Sequence, residues 1–327
     1  MTGQSLISIG KMKIDDVCAA PAARKERLQL DQPIPVMGKP GFSDAPDEDQ
    51  MALRFAHAVP QAALCTIVGI DGSFSRRLGA QLAVGPDGGT VGSLSDGCLE
   101  RELATQAQAI RAALGPPRTL RYGQGSPFID FRLPCGSGLD VVVDAAPDRT
   151  AIAQTVERLD RRKPAALALP VDNSGLLQRR AYWPSLRLVL CGVGPEADWL
   201  AKLAEGFGVS SVVVGPDRGL GMGSAPSWLE VDEWTAVILL FHDHEWEQAI
   251  LEWALATPAF YIGAIGGKQT RENRRALLAD RGATNAQIAR VRSPIGLIEH
   301  ARDARLLALS VLSEVAGAYE HTRSQPL

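Results

Sequence analysis

The segment around Cys98 has the residue types of a reactive-thiol site. Ser95 or Asp96 can N-cap the apolar-periodic run after Gly97, which predicts that Cys98 lies in the first turn of a helix. Backbone N–H groups and the helix dipole favour a thiolate there, whereas the charge of Glu100 opposes it. A thiolate is a nucleophile and a ligand for soft metals. We therefore expect Cys98 to carry the chemistry of this chain.

The other cysteines differ in their surroundings. Cys135 lies in a turn bounded by Pro134 and Gly136, which leaves it open to a role at the same site. Cys65 and Cys191 stand inside apolar strands and are expected to be inert core residues. The five cysteines include no C-x-x-C pair, which argues against a disulfide framework and a zinc ribbon. This usage is typical of a reducing cytoplasm.

Two adjacent arginines, Arg76 and Arg77, occupy a polar loop after a predicted strand. Guanidinium groups bind phosphate through paired hydrogen bonds, so this pair is a candidate phosphate clamp. A solvated surface pair is the alternative that the loop alone leaves open.

A Rossmann-type loop joins a strand to a helix in the second half of the chain. Gly192, Gly194 and Ala197 form a G-x-G-x-x-A pattern, which lets a diphosphate approach the N-terminus of the helix. Gly215, however, stands where an acidic residue should hold a ribose. The pattern therefore predicts a Rossmann-like fold and disfavours ordinary NAD binding.

His242 and His244 follow the next predicted strand, at the carboxyl edge where such sheets bind ligands. Two histidines at this spacing can share a metal only on extended backbone, and the sequence offers no convincing third ligand nearby. We expect them to donate or accept hydrogen bonds in a cleft.

The elements that position these residues form two α/β units. Residues 1–46 are predicted to be an irregular, proline-containing arm, and residues 47–183 a first α/β domain. Strands and helices alternate over residues 184–327, which predicts a parallel sheet with helices on both faces.

Composition limits the classes of function. The chain has 327 residues, 46% of them hydrophobic, as in a globular protein without disordered character. A net charge of −3 argues against a dominant polyanion-binding face, so we expect no nucleic-acid partner, although the charge leaves room for a local basic patch. We find no apolar run of membrane length and no secretory signal, so we expect a cytoplasmic protein without a membrane partner.

Taken together, the motifs resemble those of the XdhC/CoxI family, the accessory proteins of molybdenum hydroxylases such as xanthine dehydrogenase. The resemblance covers most of residues 60–318 and rests on an ordered set: Gly72-Ser73, Arg76-Arg77, Gly79, Gly92-Ser93, Cys98-Leu99-Glu100, Leu133-Pro134-Cys135-Gly136, Gly192-Val193-Gly194, His242-Asp243-His244-Glu245, Tyr261-Ile262-Gly263 and Pro294-Ile295-Gly296-Leu297. It implies an N-terminal α/β domain of the XdhC/CoxI type and a C-terminal Rossmann-like domain.

The resemblance also implies a function. Such proteins bind and protect the molybdenum cofactor, a molybdopterin that is in some cases a dinucleotide. They support its sulfuration by a cysteine desulfurase and deliver it to an apo molybdenum hydroxylase. We expect no turnover by the chain itself, and a homodimer is left open. The expected cofactor-binding residues, with Cys98 as the metal ligand, are Arg76, Arg77, Ser95, Gly97, Cys98, Cys135, Gly192, Gly194, His242 and His244.

Two other functions remain open at this point. An NAD(P)-dependent oxidoreductase needs an acidic residue at the position that Gly215 occupies in this chain. It also needs a proton donor, for which His242 or His244 is the candidate. A scaffold that binds only the hydroxylase needs no cofactor at all. Retention of molybdopterin by the purified protein separates these functions from a cofactor chaperone.

Overall fold

The computed structural model describes residues 41–42, 48–95, 97–126, 136–241 and 243–324. In the first half the elements are α1 (Glu48–Ala58), β1 (Ala63–Asp71), β2 (Gln81–Val84), β3 (Thr90–Gly92), α2 (Cys98–Ala112), β4 (Arg118–Gly123), β5 (Gly138–Asp144) and α3 (Arg149–Asp160). A hairpin of β6 (Ala165–Ala168) and β7 (Arg179–Tyr182) follows.

The first five strands form one antiparallel sheet in the order β3-β2-β1-β5-β4. Successive side chains of a strand point to opposite faces, so β1 contributes to two cores. Cys65 and Ile67 pack on one face with Leu99 and Leu103 of α2. On the other face, Leu64 packs with residues of α1 and α3.

The second half holds β8 (Arg187–Cys191), α4 (Pro195–Gly206), β9 (Ser210–Val214), β10 (Thr235–Leu239), α5 (His244–Ala256), β11 (Tyr261–Ala264), α6 (Lys268–Asp280), α7 (Asn285–Ala289), β12 (Val291–Arg292) and α8 (Ala304–Arg323). All five strands are parallel, in the order β12-β11-β10-β8-β9. The chain runs outward from β8 to β9 and then returns to the other side of β8, so the loops after β8 and β10 flank the switch point of the sheet.

Helices cover both faces of the parallel sheet. Residues of α4 and α8 belong to one buried cluster, and residues of α5 and α6 to the other. The predicted fold class, an α/β domain followed by a Rossmann-like domain, is confirmed. The limits of the three predicted segments stay predictions, and most of residues 1–46 lies outside the described ranges.

Polar contacts join the two halves, and both halves lie within one compact unit, Met37–Leu327. Arg162, after α3, donates to both carboxylate oxygens of Asp232, at 2.7 and 3.2 Å. It also donates to the carbonyl of Ser185 at 2.6 Å. Within the described ranges, no helix combines the length and the hydrophobicity that a membrane crossing requires.

A buried ion pair holds the carboxyl edge of the parallel sheet. Arg274 of α6 and Glu247 of α5 are 2.7 Å apart, with side chains that are only 2% and 4% exposed. Arg274 also donates to the carbonyl of Ile265, after β11, and to Ser293, after β12. One guanidinium thus ties together the segments that follow three neighbouring strands.

We expect Glu247→Ala to lower the free energy of unfolding by about 3–5 kcal/mol, because it leaves Arg274 buried without a counter-charge. The pair of Glu252 with Arg281 joins α5 to the end of α6 at 3.6 Å and is half exposed, so it is a matched control. Glu252→Ala should change the same quantity by less than about 1 kcal/mol. Urea denaturation measures both, and equal losses would contradict the assignment.

Candidate functional site

Cys98 is the first residue of α2, and its side chain is exposed. The Nη2 atom of Arg101, one helical turn later, lies 3.4 Å from its sulfur. Cys65 and Cys191 are both fully buried, as predicted. Burial, together with the charge of Asp144, raises the pKa of the Cys65 thiol to about 12, and burial alone raises that of Cys191. Of these three thiols, only Cys98 can meet a large ligand.

The loop in front of Cys98 is closed around the carboxylate of Glu100. Its Oε1 accepts the N–H groups of Leu94 and Ser95 at 2.7 and 2.6 Å, and its Oε2 accepts that of Gly97 at 2.8 Å. Ser93 also donates its hydroxyl to Oε1, at 3.4 Å. Glu100 is only 7% exposed, so these bonds replace the water that a carboxylate otherwise needs.

The ionisation of Glu100 follows from these contacts. Burial raises its pKa, but the N–H groups of Ser95, Leu94 and Gly97 outweigh burial and hold the pKa below its ordinary value of 4.5. Glu100 is therefore a carboxylate at neutral pH.

One sequence prediction about this turn, the N-cap of α2, is wrong. Gly97, with a left-handed φ of 97°, occupies the N-cap of α2 in place of Ser95. A residue with a side chain is strained in this conformation. The carboxylate of Glu100, whose charge is expected to oppose a thiolate at Cys98, is turned into the loop. Ser95 takes part through its backbone, and Asp96 lies outside the described residues.

Arg76 reaches the same loop from the segment after β1. Its Nη2 donates to the hydroxyl of Ser93 at 3.0 Å, and that hydroxyl lies 3.2 Å from the carbonyl of Ser95. The Nε atom of Arg76 is buried and has no hydrogen-bond partner within the described ranges. A guanidinium that contacts the loop in front of Cys98 and has a buried donor unused by the described residues suits an anionic ligand.

Arg77 takes a different direction from its neighbour. It forms an ion pair with Asp49 of α1, and its Nη1 lies 3.7 Å from an oxygen of Glu320 of α8. The two arginines therefore do not act as one clamp, and the role predicted for Arg77 as a cofactor ligand has no support from these contacts.

The structure leaves part of the predicted site undescribed. Cys135 and His242 lie outside the described residues. His244 is the first residue of α5, directly after Asp243, which caps that helix by accepting the N–H of Glu245 at 2.9 Å. Within the described ranges, no group of three or more His, Cys, Asp or Glu side chains has the arrangement of a metal site.

The Rossmann-type loop lies at the switch point of the parallel sheet. A Cβ atom on Gly192 would be 2.8 Å from the Cβ of Leu240, so glycine lets the segments after β8 and β10 touch. Gly194 has a φ of 96° and caps α4. Glycine at both positions thus has a reason in packing and backbone geometry alone.

The same loop is poorly suited to a diphosphate. Pro195 is the first residue of α4 and has no N–H to donate, and Glu196 and Asp198 place negative charge in the first turn. A Cβ on Gly215 would be 2.8 Å from Val193, so the expected acid could not stand there without a shift. These contacts argue against nucleotide binding through Gly192 and Gly194.

Sequence analysis missed two residues of the site. Arg101 lies three positions after Cys98, and this helical spacing alone would have placed it beside the sulfur. Ser93, which connects Arg76 to the loop, belongs to the Gly92-Ser93 pair of the family motif, but no role of its own was predicted for it from the sequence.

Comparison with known proteins gives consistent results. A family model described as the XdhC and CoxI family matches residues 56–123, and one described as the XdhC Rossmann domain matches residues 188–315. The molybdenum cofactor insertion chaperone PaoD of Escherichia coli (strain K12) is 35% identical over 301 residues, which are 86% of this chain and 92% of PaoD. The crystal structure of a xanthine dehydrogenase from Bacillus halodurans is similar in fold, with a TM-score of 0.65, 22% identity, and coverage of 86% of this chain and 97% of that chain.

Glu100→Gln should lower the free energy of unfolding by about 1–3 kcal/mol near neutral pH. The NH₂ group of the glutamine would face a backbone N–H of the loop, and since both are donors, that hydrogen bond is lost. The pKa of Glu100 is depressed in the folded state, so its contribution is present above the ordinary value and is lost as pH falls through the folded-state pKa. The gap between parent and variant should therefore shrink in acid.

Urea denaturation from neutral pH down to about pH 3 measures this gap. Glu102→Gln is the matched control, since Glu102 lies on the same helix and accepts a hydrogen bond from the side chain of Gln106 at 2.8 Å. A gap for Glu100→Gln that stays constant with pH would contradict the assigned role.

NAD and NADP at millimolar concentration should leave Tm unchanged, since a ligand raises Tm only when it binds the folded state. The reason is the acidic first turn of α4 and the absence of an acid at position 215. Thermal unfolding of the parent and of Gly194→Val tests this. A rise in Tm that Gly194→Val abolishes would show that the loop does bind a dinucleotide.

Proposed function

The chain belongs to the XdhC and CoxI family, and on this premise we propose that it is a molybdenum cofactor chaperone. It binds the cofactor, protects it, supports its sulfuration by a cysteine desulfurase, and delivers it to an apo molybdenum hydroxylase of the xanthine or aldehyde dehydrogenase type. The cofactor is cargo in this function, and the chain performs no turnover of its own.

One observation carries the proposal, namely that the family match and the residues of the site lie in the same segment. The segment that matches the XdhC and CoxI family, residues 56–123, also contains Cys98, Arg76 and Arg101. A molybdenum dithiolene with a phosphate needs a soft ligand near the metal and cationic donors near the anionic groups. Cys98 supplies the first, and the two guanidinium groups supply the second.

The turn that carries Cys98 is open to a ligand on its outer side. The side chain is exposed, and among the described residues other than its chain neighbours none has an atom within 4 Å of the position that a Cβ on Gly97 would take. The buried Nε of Arg76 adds a donor that the described residues do not use. We place the pterin end of the cofactor here and assign no nucleotide to the loop of Gly192 and Gly194.

Three parts of the proposal stay predictions. Cys135, His242 and His244 are retained as candidate cofactor ligands on the family resemblance. The dinucleotide form of the cofactor and a homodimer likewise remain to be tested. An oxidoreductase is the alternative function, and the nucleotide-binding experiment described above distinguishes it.

Cys98→Ser tests the function directly. Serine keeps the size and most of the hydrogen bonding but replaces the soft ligand, so the variant should fold normally and lose most of its bound cofactor. Molybdenum and pterin per chain are measured after isolation from a cofactor-producing host, together with activation of an apo-hydroxylase.

Cys65→Ala is the control, because the Cys65 side chain is fully buried and cannot meet a ligand, and it should keep the cofactor as the parent does. Cys135→Ser should show a smaller loss than Cys98→Ser. Full cofactor retention and full activation by Cys98→Ser would mean that this thiol is structural only.

A further inference from the structure

The loop between β1 and β2, residues 72–80, carries Arg76 toward the Cys98 site. The contacts that hold this loop in place are made by other residues, away from that site. Arg76 reaches Ser93 from this loop at 3.0 Å, and the next residue, Arg77, pairs with Asp49. The position of Arg76 therefore depends on what holds the rest of the loop.

Asp49 of α1 is the centre of that support. Its carboxylate pairs with three arginines from three elements: Arg77 in the loop, Arg180 of β7 at 3.6 Å, and Arg323 of α8 at 2.5 Å. The side chains of Arg180 and Arg323 are only 8% and 9% exposed. Shielded pairs of this kind are stronger than those on an open surface.

Arg180 gives the loop a second support. Gly79 has a φ of +85°, and a Cβ there would lie 2.9 Å from the Cδ of Arg180, so the arginine packs directly on the glycine backbone. The guanidinium of Arg180 also lies 4.8 Å from the centre of the Tyr182 ring. Asp49 thus holds the loop both through Arg77 and through Arg180 against Gly79.

From these contacts we propose that Asp49 is a positioning residue for the cofactor site. It fixes the β1–β2 loop so that the guanidinium of Arg76 stays beside Ser93 and the Cys98 turn. Through Arg323 it also makes the end of α8 part of that support. This inference rests on the proposed function, because the effect of Asp49 passes through a cofactor ligand.

A double-mutant cycle on the full chain separates positioning from stability. Asp49→Asn should reduce molybdenum and pterin per chain about tenfold, and it should have almost no further effect in an Arg76→Ala background. A role in stability alone would give the same loss in both backgrounds, which would overturn the proposal. Arg77→Ala removes one half-exposed contact, so it should repeat the pattern if Asp49→Asn does not fold.

Asp160→Asn is the matched control. Asp160 also pairs with α1, through Arg54 at 2.8 Å, but it does not contact the β1–β2 loop, so cofactor retention should equal that of the parent. Thermal unfolding is recorded for every variant. If Cys98→Ser and Arg76→Ala both keep the cofactor, the proposed function fails and this inference with it. If they lose it and neither Asp49→Asn nor Arg77→Ala does, only the inference fails.

Discussion

The course of the chain in front of α2 depends on the carboxylate of Glu100. It gathers the N–H groups of Leu94, Ser95 and Gly97, which would otherwise need water or another acceptor. With these groups satisfied, Cys98 can stand on the outside of the turn while Leu99 enters the core. The carboxylate of Glu100 thus organises the turn that carries the thiol and its neighbouring cations, although the carboxylate itself points into the loop and not toward a ligand.

The second half has the fold of a dinucleotide-binding domain without the local chemistry of one. Gly192 is explained by its contact with Leu240, and Gly194 by its left-handed backbone. Pro195 and Glu196, in contrast, lower the affinity of the helix N-terminus for an anion. Fold and site are separate properties, and in this domain Gly192 and Gly194 serve packing and backbone geometry.

The sequence predicts the elements well because their patterns are local. The apolar period of α2 and the alternation of strand and helix after residue 184 are both visible over short windows. α7 and β12 show no such pattern in the sequence, because five and two residues are too few to show a period. The divergence of Arg76 and Arg77 was also unpredictable, since the partners of Arg77 are brought near only by the tertiary fold. One of these partners, Asp49, also binds Arg323, and these two residues are 274 positions apart in the sequence.

An exposed thiol with a guanidinium 3.4 Å away also has a chemical cost. Accessible sulfur near positive charge is the kind that peroxide oxidises, first to a sulfenic and then to a sulfinic acid. Oxygen atoms on the sulfur turn a soft donor into a hard one, and a hard donor no longer suits a metal that is bound through sulfur. Under the proposed function, the loading of this protein with its cofactor therefore depends on the reducing capacity of its surroundings.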